Sequence, residues 1–544
     1  MEKRALIAVV ISLAILVLYQ EVILRYVYPP PPHEEEVSEE APPPAGAPET
    51  APPAAPEPSA PAAAAPAPHA AVPGRILTID TDLYTARFTT TGARLESFQL
   101  KKYRTTVEPD SPPQEMVVPG VNGELPFGVE LRGVASQVLA DAGAAYAVAG
   151  ESRTLSGAEE ASLTFSWQAD TATISKRFSF RGDRYEFSAV VGARNVPQDY
   201  SELALAWTKG VDARPQAGSE QIFDHAVFLQ GRKLVENTFD KLAGEVVSGE
   251  INWTGFSGRH FFAAMVPTES DKQRLWLKLR DHTVEEKFLF PIAAGTVQQP
   301  LELYIGPKDF DALEGLGHGL SRGVNLGWFS FIAIPLLHVL NLSHRFTGNY
   351  GIDIILLTVL IKILFIPLTQ RSIRSMREMQ KLQPQMAKIR ERFKDNSEQM
   401  NKEIMELYRR HKVNPLGGCL PMVLQTPVFI GLYEALLNTV ELRHAPFALW
   451  INDLSAPDRL GALQLPYVQH AGIPVLTLFM GASMFVQQWM TPSAGDPQQQ
   501  RAMMIMPLIF TFMFVNFPSG LALYWLVNNL LTIAQQYYMN RTAT

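Results

Sequence analysis

The sequence predicts a membrane α-helical bundle of six spans joined to a β-sandwich in the aqueous compartment outside the membrane. Three observations predict it. Roughly the last two hundred residues carry long apolar runs, residues 74–310 carry many short stretches of period-two alternation, and a dense basic segment at residues 371–416 interrupts the apolar runs. A chain of 544 residues is long enough for more than one folded unit. Its net charge of −7 lacks the basic excess of a nucleic-acid binder. A single cysteine, Cys419, excludes an intramolecular disulfide, so the alternating domain must bury a core of its own.

Residues 1–28 read as an N-terminal transmembrane anchor. Lys3 and Arg4 precede an apolar run that continues into Gln20 and Glu21 without a small-x-small cleavage site, which favours an uncleaved segment with its basic end inside. Residues 29–73 are mostly Pro, Ala and Glu, a composition that forms an extended tether rather than a core. Residues 74–310 alternate, as in Tyr84-Thr85-Ala86-Arg87-Phe88 and Arg177-Phe178-Ser179-Phe180, and so predict antiparallel sheets packed face to face. They contain no metal-ligand spacing, phosphate loop or nucleophile elbow, and the isolated His225, His260 and His282 suit surface or core positions. The domain reads as a binding or spacing module, with no catalytic residue, cofactor, metal or nucleotide. Residues 311–349 supply a connector and a helix rich in aromatics, broken by Pro335 and His338, that suits the outer membrane interface; a short buried helix is the alternative.

A spanning helix needs about 20 mostly apolar residues. Such runs occupy residues 350–370, 417–438, 473–490, 503–517 and 518–538, the last two sharing the turn Asn516-Phe517-Pro518-Ser519-Gly520. Residues 371–416 carry twelve Lys or Arg against six Asp or Glu, which marks the cytoplasmic side. Residues 439–472 then form an outer loop, residues 491–502 an inner one, and both termini, including the tail 539–544, are cytoplasmic. Within the basic segment Met379, Leu382, Met386, Ile389 and Phe393 keep a heptad spacing, repeated by Met400, Ile404 and Leu407, which predicts a helical hairpin. Pro384 conflicts with a continuous first helix. Arg371, Arg374, Arg377, Lys381, Lys388, Arg390, Arg392 and Lys394 form either a solvated connector or a docking face for an anionic partner such as a translating ribosome.

Lys362 is the most informative residue. Eight residues from the inner end of its span, it lies about 12 Å deep, beyond the reach of its own stem, and Asp353 is about 13 Å away along the axis. An ammonium at that depth costs at least about 2.5–3.5 kcal/mol unless water or polar groups meet it. Gln425, Thr511 and Asn528 fall at the same depth in three other spans, with Gln487 and Gln488 nearer the mouth. Together they suggest a wet cavity open to the cytoplasm and closed by an apolar outer half containing Phe510, Phe512, Met513 and Phe514. For any single amide or hydroxyl, ordinary helix-to-helix hydrogen bonding is the competing account.

At these residues the chain resembles the YidC/Oxa/Alb insertase family in its Gram-negative form. The motifs are Val413-Asn414-Pro415-Leu416-Gly417-Gly418-Cys419, Val440-Glu441-Leu442-Arg443-His444-Ala445-Pro446-Phe447, Phe517-Pro518-Ser519-Gly520 and Leu303-Tyr304-Ile305-Gly306-Pro307-Lys308-Asp309. The resemblance implies a five-helix insertase core, an inward-open groove with one positive charge, and a periplasmic β-sandwich in the inner membrane of the cell. Lys362 stands where the family usually has Arg, keeping the charge without the planar fork. Thr358, Gln488, Tyr524 and Trp525 match groove positions, and Phe429, Met480 and Met513 a surface along which substrate slides. Glu434 stands where an aromatic residue is implied. Nascent membrane proteins, the ribosome, the signal-recognition-particle pathway, SecYEG, SecDF and the lipid bilayer are the implied partners. A solute or ion transporter would need paired intramembrane acids or inverted repeats, and neither is visible. A tethered carbohydrate-active protein would need paired carboxylates in a cleft of the sandwich.

Overall fold

Alternating burial along the strands of the first domain follows the alternation of the sequence. In Ala172–Arg181 the inward positions hold Ile174, Phe178 and Phe180, and the hairpin back to Glu160–Ala169 turns at Asp170, whose φ is 51°. The computed structural model describes residues 74–542, apart from 109, 134–136, 212–221, 269–272, 395, 412, 414–419, 462, 464–470 and 492–496. The anchor at 1–28, the tether at 29–73 and the Asn414 to Cys419 part of the first motif lie outside the described residues.

From Ile76 to Pro307 the strands form a five-, a nine- and a six-stranded sheet. The five-stranded sheet includes one parallel pairing, between Ile76–Asp80 and Arg153–Thr154. The main core lies among Phe88, Phe127, Phe165, Phe178, Trp207 and Phe256. A charged group is sealed in beside it: Lys176 is fully buried, its ammonium 2.6 Å from Asp141, which also takes Arg94 and the Tyr146 hydroxyl. Burial pulls the Lys176 ammonium down to about 8, and Asp141 works against that fall.

A second core covers the outer face of the nine-stranded sheet and seats the sandwich on the helical region. Val227, Leu229, Trp253, Phe262 and Tyr304 meet Leu313 of helix α1 (Phe310–Leu316), Leu320, Val324 and Leu326 of the connector, and Ala333 of α2 (Ser330–Thr347). Asp309 caps α1 by accepting from the Ala312 amide at 3.0 Å. Helix α2 buries Ala333, Leu337 and Leu340 while Phe331 and Phe346 stay exposed, with Trp328 just before it 96% exposed. One apolar face thus packs on protein and another is left open, as an interfacial helix requires.

Helix α3 (Tyr350–Lys381) begins at Asn349, whose side chain accepts from the Gly351 and Ile352 amides, and runs for 32 residues. It therefore continues past the 370 boundary set by composition, so Arg371, Arg374, Arg377 and Lys381 belong to the spanning helix itself. The change from apolar to basic residues does not end the hydrogen-bonded helix. Helices α4 (Gln383–Arg392) and α5 (Ser397–Arg410) follow. The Pro384 conflict resolves because a turn at Leu382 separates α3 from α4, placing Pro384 in the first turn of a new helix, where no amide is needed. Within residues 384–412, Met386 is buried and its sulfur accepts from the Tyr408 hydroxyl at 3.4 Å. Lys388, Lys394 and Arg392 are exposed, with Arg390 half-buried.

The remaining apolar runs become α6 (Leu420–Asn438), α7 (Val475–Met490), α8 (Pro497–Phe514) and α9 (Ser519–Thr542). Among the described residues only α3 is both long and apolar enough to cross a membrane on length and composition; α7 and residues 503–514 of α8 are shorter apolar helices. Residues 439–461 fold over the sandwich-side ends of these helices. Arg459 donates to the Val515 carbonyl and the Asn516 side chain, Asp458 accepts from the Trp450 indole and from the Leu476 amide at the start of α7, and Ser519 and Gly520 donate to Ala456 and Leu454 carbonyls.

Candidate functional site

Lys362 lies on α3 facing α9. Its ammonium donates to Thr532 Oγ1 at 2.6 Å, and the Thr532 hydroxyl donates to the Asn528 carbonyl at 2.7 Å. Among the described residues no carboxylate pairs with this ammonium. Asp353, the nearest acid in the helix, is fully buried and engaged elsewhere: Ser343 and Thr347 donate to it at 2.6 and 2.7 Å, and His344 Nδ1 lies 2.9 Å away. It ties the end of α2 to the start of α3.

The other predicted polar residues divide. Gln425 on α6 donates to the Tyr524 hydroxyl across 3.5 Å, and Tyr524 is itself buried. Asn528 and Gln488 are half-buried. Thr358 and Thr511 are engaged within and between helices. Thr358 is buried with its hydroxyl on the Ile354 carbonyl, and Thr511 donates to Pro507 O while filling the notch left by Gly481. A Cβ on Gly481 would fall 2.0 Å from Thr511 Oγ1, so this pair sets the close approach of α7 and α8. Both hydroxyls thus meet the carbonyl one turn back in their own helix.

Next to the polar residues stands an aromatic wall. The Phe429 ring meets Trp525 edge-on at 4.7 Å, Phe514 is 5.3 Å from Trp525, and Phe517 is 4.8 Å from Phe514. Phe429, Trp525 and Met513 are half-buried. Met480, expected on a sliding surface, is fully buried in the core that holds Leu476, Phe514 and Tyr524. Glu434, where an aromatic residue was implied, lies under the connector. Its carboxylate accepts from Asn438 at 3.0 Å and packs against Gly327, whose φ of 66° brings the backbone close. Asn325, next to that turn, in turn donates to Glu236 of the sandwich.

The sandwich meets this bundle at residues 440–443. The Arg443 guanidinium donates to the Arg104 carbonyl at 2.7 Å and to Gln114 Oε1 at 3.0 Å, and sits over the Phe261 ring. Glu441 is held beside Asn341 of α2, with Tyr103, Tyr350, Asp309 and Asp311 around it, and its Oε2 has no hydrogen-bond partner. Burial, aided by the two aspartates, pushes the Glu441 carboxyl up to about 7. Sequence reasoning missed Thr532, Asn529 and Ser483, the last two hydrogen-bonded at 3.0 Å between α9 and α7. The signal available for Thr532 was its place one turn below Asn528.

An open groove of about 720 Å³ on the sandwich brings together Glu151, Glu160, Arg153 and Arg177. All four are exposed.

Residues 76–339 match the YidC periplasmic domain model, and residues 342–544 match the 60Kd inner membrane protein model. The chain is 41% identical to the membrane protein insertase YidC of Syntrophobacter fumaroxidans over 100% of both chains. The chain belongs to the YidC membrane protein insertase family. It is also 39% identical to YidC of Geobacter sulfurreducens, over 85% of this chain and 86% of that one. Among solved structures it is similar to an active YidC insertase with its first transmembrane domain resolved, at 18% identity and a TM-score of 0.38, covering 86% of this chain and 94% of the other. As a member of this family, the chain is an inner-membrane protein with a periplasmic β-sandwich, and it works on membrane proteins in the lipid bilayer.

Proposed function

We propose that insertion runs through a groove, open to the cytoplasm, in which Lys362 attracts acidic groups on the substrate's short polar tail. The substrate's apolar segment meanwhile moves past Phe429, Trp525 and Met513 into lipid. One observation carries this reading: the ammonium is held by a neutral hydroxyl, so its net charge is left for an incoming anion. The short helices support it. At about 1.5 Å per residue the 16 residues of α7 reach about 24 Å, less than the ~30 Å hydrocarbon core, which lowers the distance a polar tail must cross. Hydrophobic transfer and the proton-motive force then drive release, with no covalent step and no nucleotide.

In this reading the chain spans the membrane six times with both termini cytoplasmic, as the basic residues 371–416 and Lys3-Arg4 favour. The basic side chains of residues 371–394 receive the ribosome and the signal-recognition-particle pathway, and SecYEG with SecDF hands over longer substrates. Lys362→Glu should abolish insertion of a substrate with an acidic tail, while Lys362→Arg should preserve it; equal activity in both removes the charge role. Labelling by a membrane-impermeant thiol reagent, applied from the cytoplasmic face to a cysteine at position 362 in a Cys419→Ser background, tests whether the groove is wet.

A further inference from the structure

The Lys362 ammonium has three N–H donors, and among the described residues one is taken up, by Thr532 Oγ1 at 2.6 Å. The Thr532 hydroxyl proton is directed to the Asn528 carbonyl, so its oxygen faces the ammonium as an acceptor only. Thr532 is 7% exposed, which holds this oxygen in place. A carboxylate at the same spot would form an ion pair and cancel the charge. A hydroxyl fixes the position of the cation and cancels nothing.

Other polar residues of α9 flank Thr532. Asn529 donates to Ser483 at 3.0 Å and Gln536 to Thr491 at 3.2 Å, so two positions seven residues apart pin α9 to α7 and its end. Trp525, Asn528, Thr532 and Gln535, at spacings of three, four and three, run along the adjoining side of the same helix face. At its far end both polar atoms of the Gln535 amide are buried without a hydrogen-bond partner, which leaves a second unsatisfied polar group one turn beyond Thr532. Aromatic contact lies at one end of the stripe, an unengaged amide at the other, and the tethered cation between them.

We propose that Thr532 is a positioning residue for insertion: its hydroxyl fixes where the Lys362 ammonium stands while leaving the charge and two N–H donors open to a substrate carboxylate. The proposal rests on the charge role of Lys362 given above. It assigns to α9 a part in choosing between acidic and neutral tails, through the acceptor it presents to the cation.

The test uses the full chain in proteoliposomes and two single-span substrates that differ only in Asp or Asn within the short tail. The readout is the ratio of acidic-tail to neutral-tail insertion. Thr532→Asp and Thr532→Asn are close in size and differ in charge. Thr532→Asp should lower the ratio at least tenfold relative to Thr532→Asn, and Thr532→Ser should keep a ratio within twofold of the unsubstituted chain. Thr532→Asp and Thr532→Asn giving the same ratio, or each lowering both substrates in proportion, would overturn the proposal and leave Thr532 a packing residue. Lys362→Glu run in parallel separates the two levels. If it collapses the ratio while the Thr532 pair is level, only the positioning role fails; if Lys362→Glu leaves the ratio unchanged, the charge role fails and this proposal with it.

Discussion

Replacing Glu441 by Gln should remove a pH dependence from the junction between the sandwich and the helical bundle. Burial raises this carboxyl from 4.5 to about 7 in the folded junction, with Asp309 and Asp311 adding to the effect. When the junction opens, the group returns to its ordinary value. A carboxyl raised in the folded state favours the closed junction fully below about 4.5, and that contribution is lost as pH rises through about 7. The interval corresponds, at about 1.36 kcal/mol per pH unit, to a contribution on the order of 3 kcal/mol. The full chain in nanodiscs, followed by hydrogen exchange in α2 and residues 440–447 after correction for intrinsic rates, should show protection falling between pH 5 and pH 8. Glu441→Gln keeps the shape and cannot ionise, so its protection should stay level across the same range. An equal slope in both proteins, or protection that rises with pH in the unsubstituted chain, would refute the reasoning.

Other perturbations have equally definite outcomes. Arg443→Ala removes hydrogen bonds to Arg104 and Gln114 and the contact with Phe261; it should raise exchange in residues 104–115 by an amount equivalent to about 2–3 kcal/mol. Gly481→Ala should destabilise the bundle by about 1–3 kcal/mol in detergent unfolding, and Thr511→Ala in the same chain should recover part of the loss, since the new methyl meets the Thr511 side chain. Asp141→Ala leaves the fully buried Lys176 without its carboxylate and should cost the sandwich about 3–5 kcal/mol, measured by denaturant unfolding. Insertion of a short-tailed substrate should survive that loss, because Lys362 and Thr532 lie on helices outside the sandwich.

That Lys362 needs a polar partner is legible in the sequence, because a cation deep in an apolar run has few physical solutions. Its partner was not. Depth counting placed Gln425, Thr511 and Asn528 level with it, but depth says nothing of helix rotation, and rotation turns Thr511 toward Gly481 and presents Thr532 to the ammonium. The same blindness applies to Met480, whose spacing suits either face of α7 and which the fold buries. Alternation identified a sandwich, yet three separate sheets and the pairing of Ile76–Asp80 with Arg153–Thr154 depend on contacts far apart in sequence. Glu434 shows the converse. Read within its own span it looked out of place, whereas the connector turn at Gly327 and the Asn438 amide give it partners that only the folded chain brings near.

The grip of Arg443 on the strand end at Arg104 has a mechanical consequence. The same short turn that holds the sandwich follows directly on α6, the helix that carries Gln425 and Phe429. A pull on the sandwich is therefore shared between the chain just after α6 and the apolar seat on α1, the connector and α2.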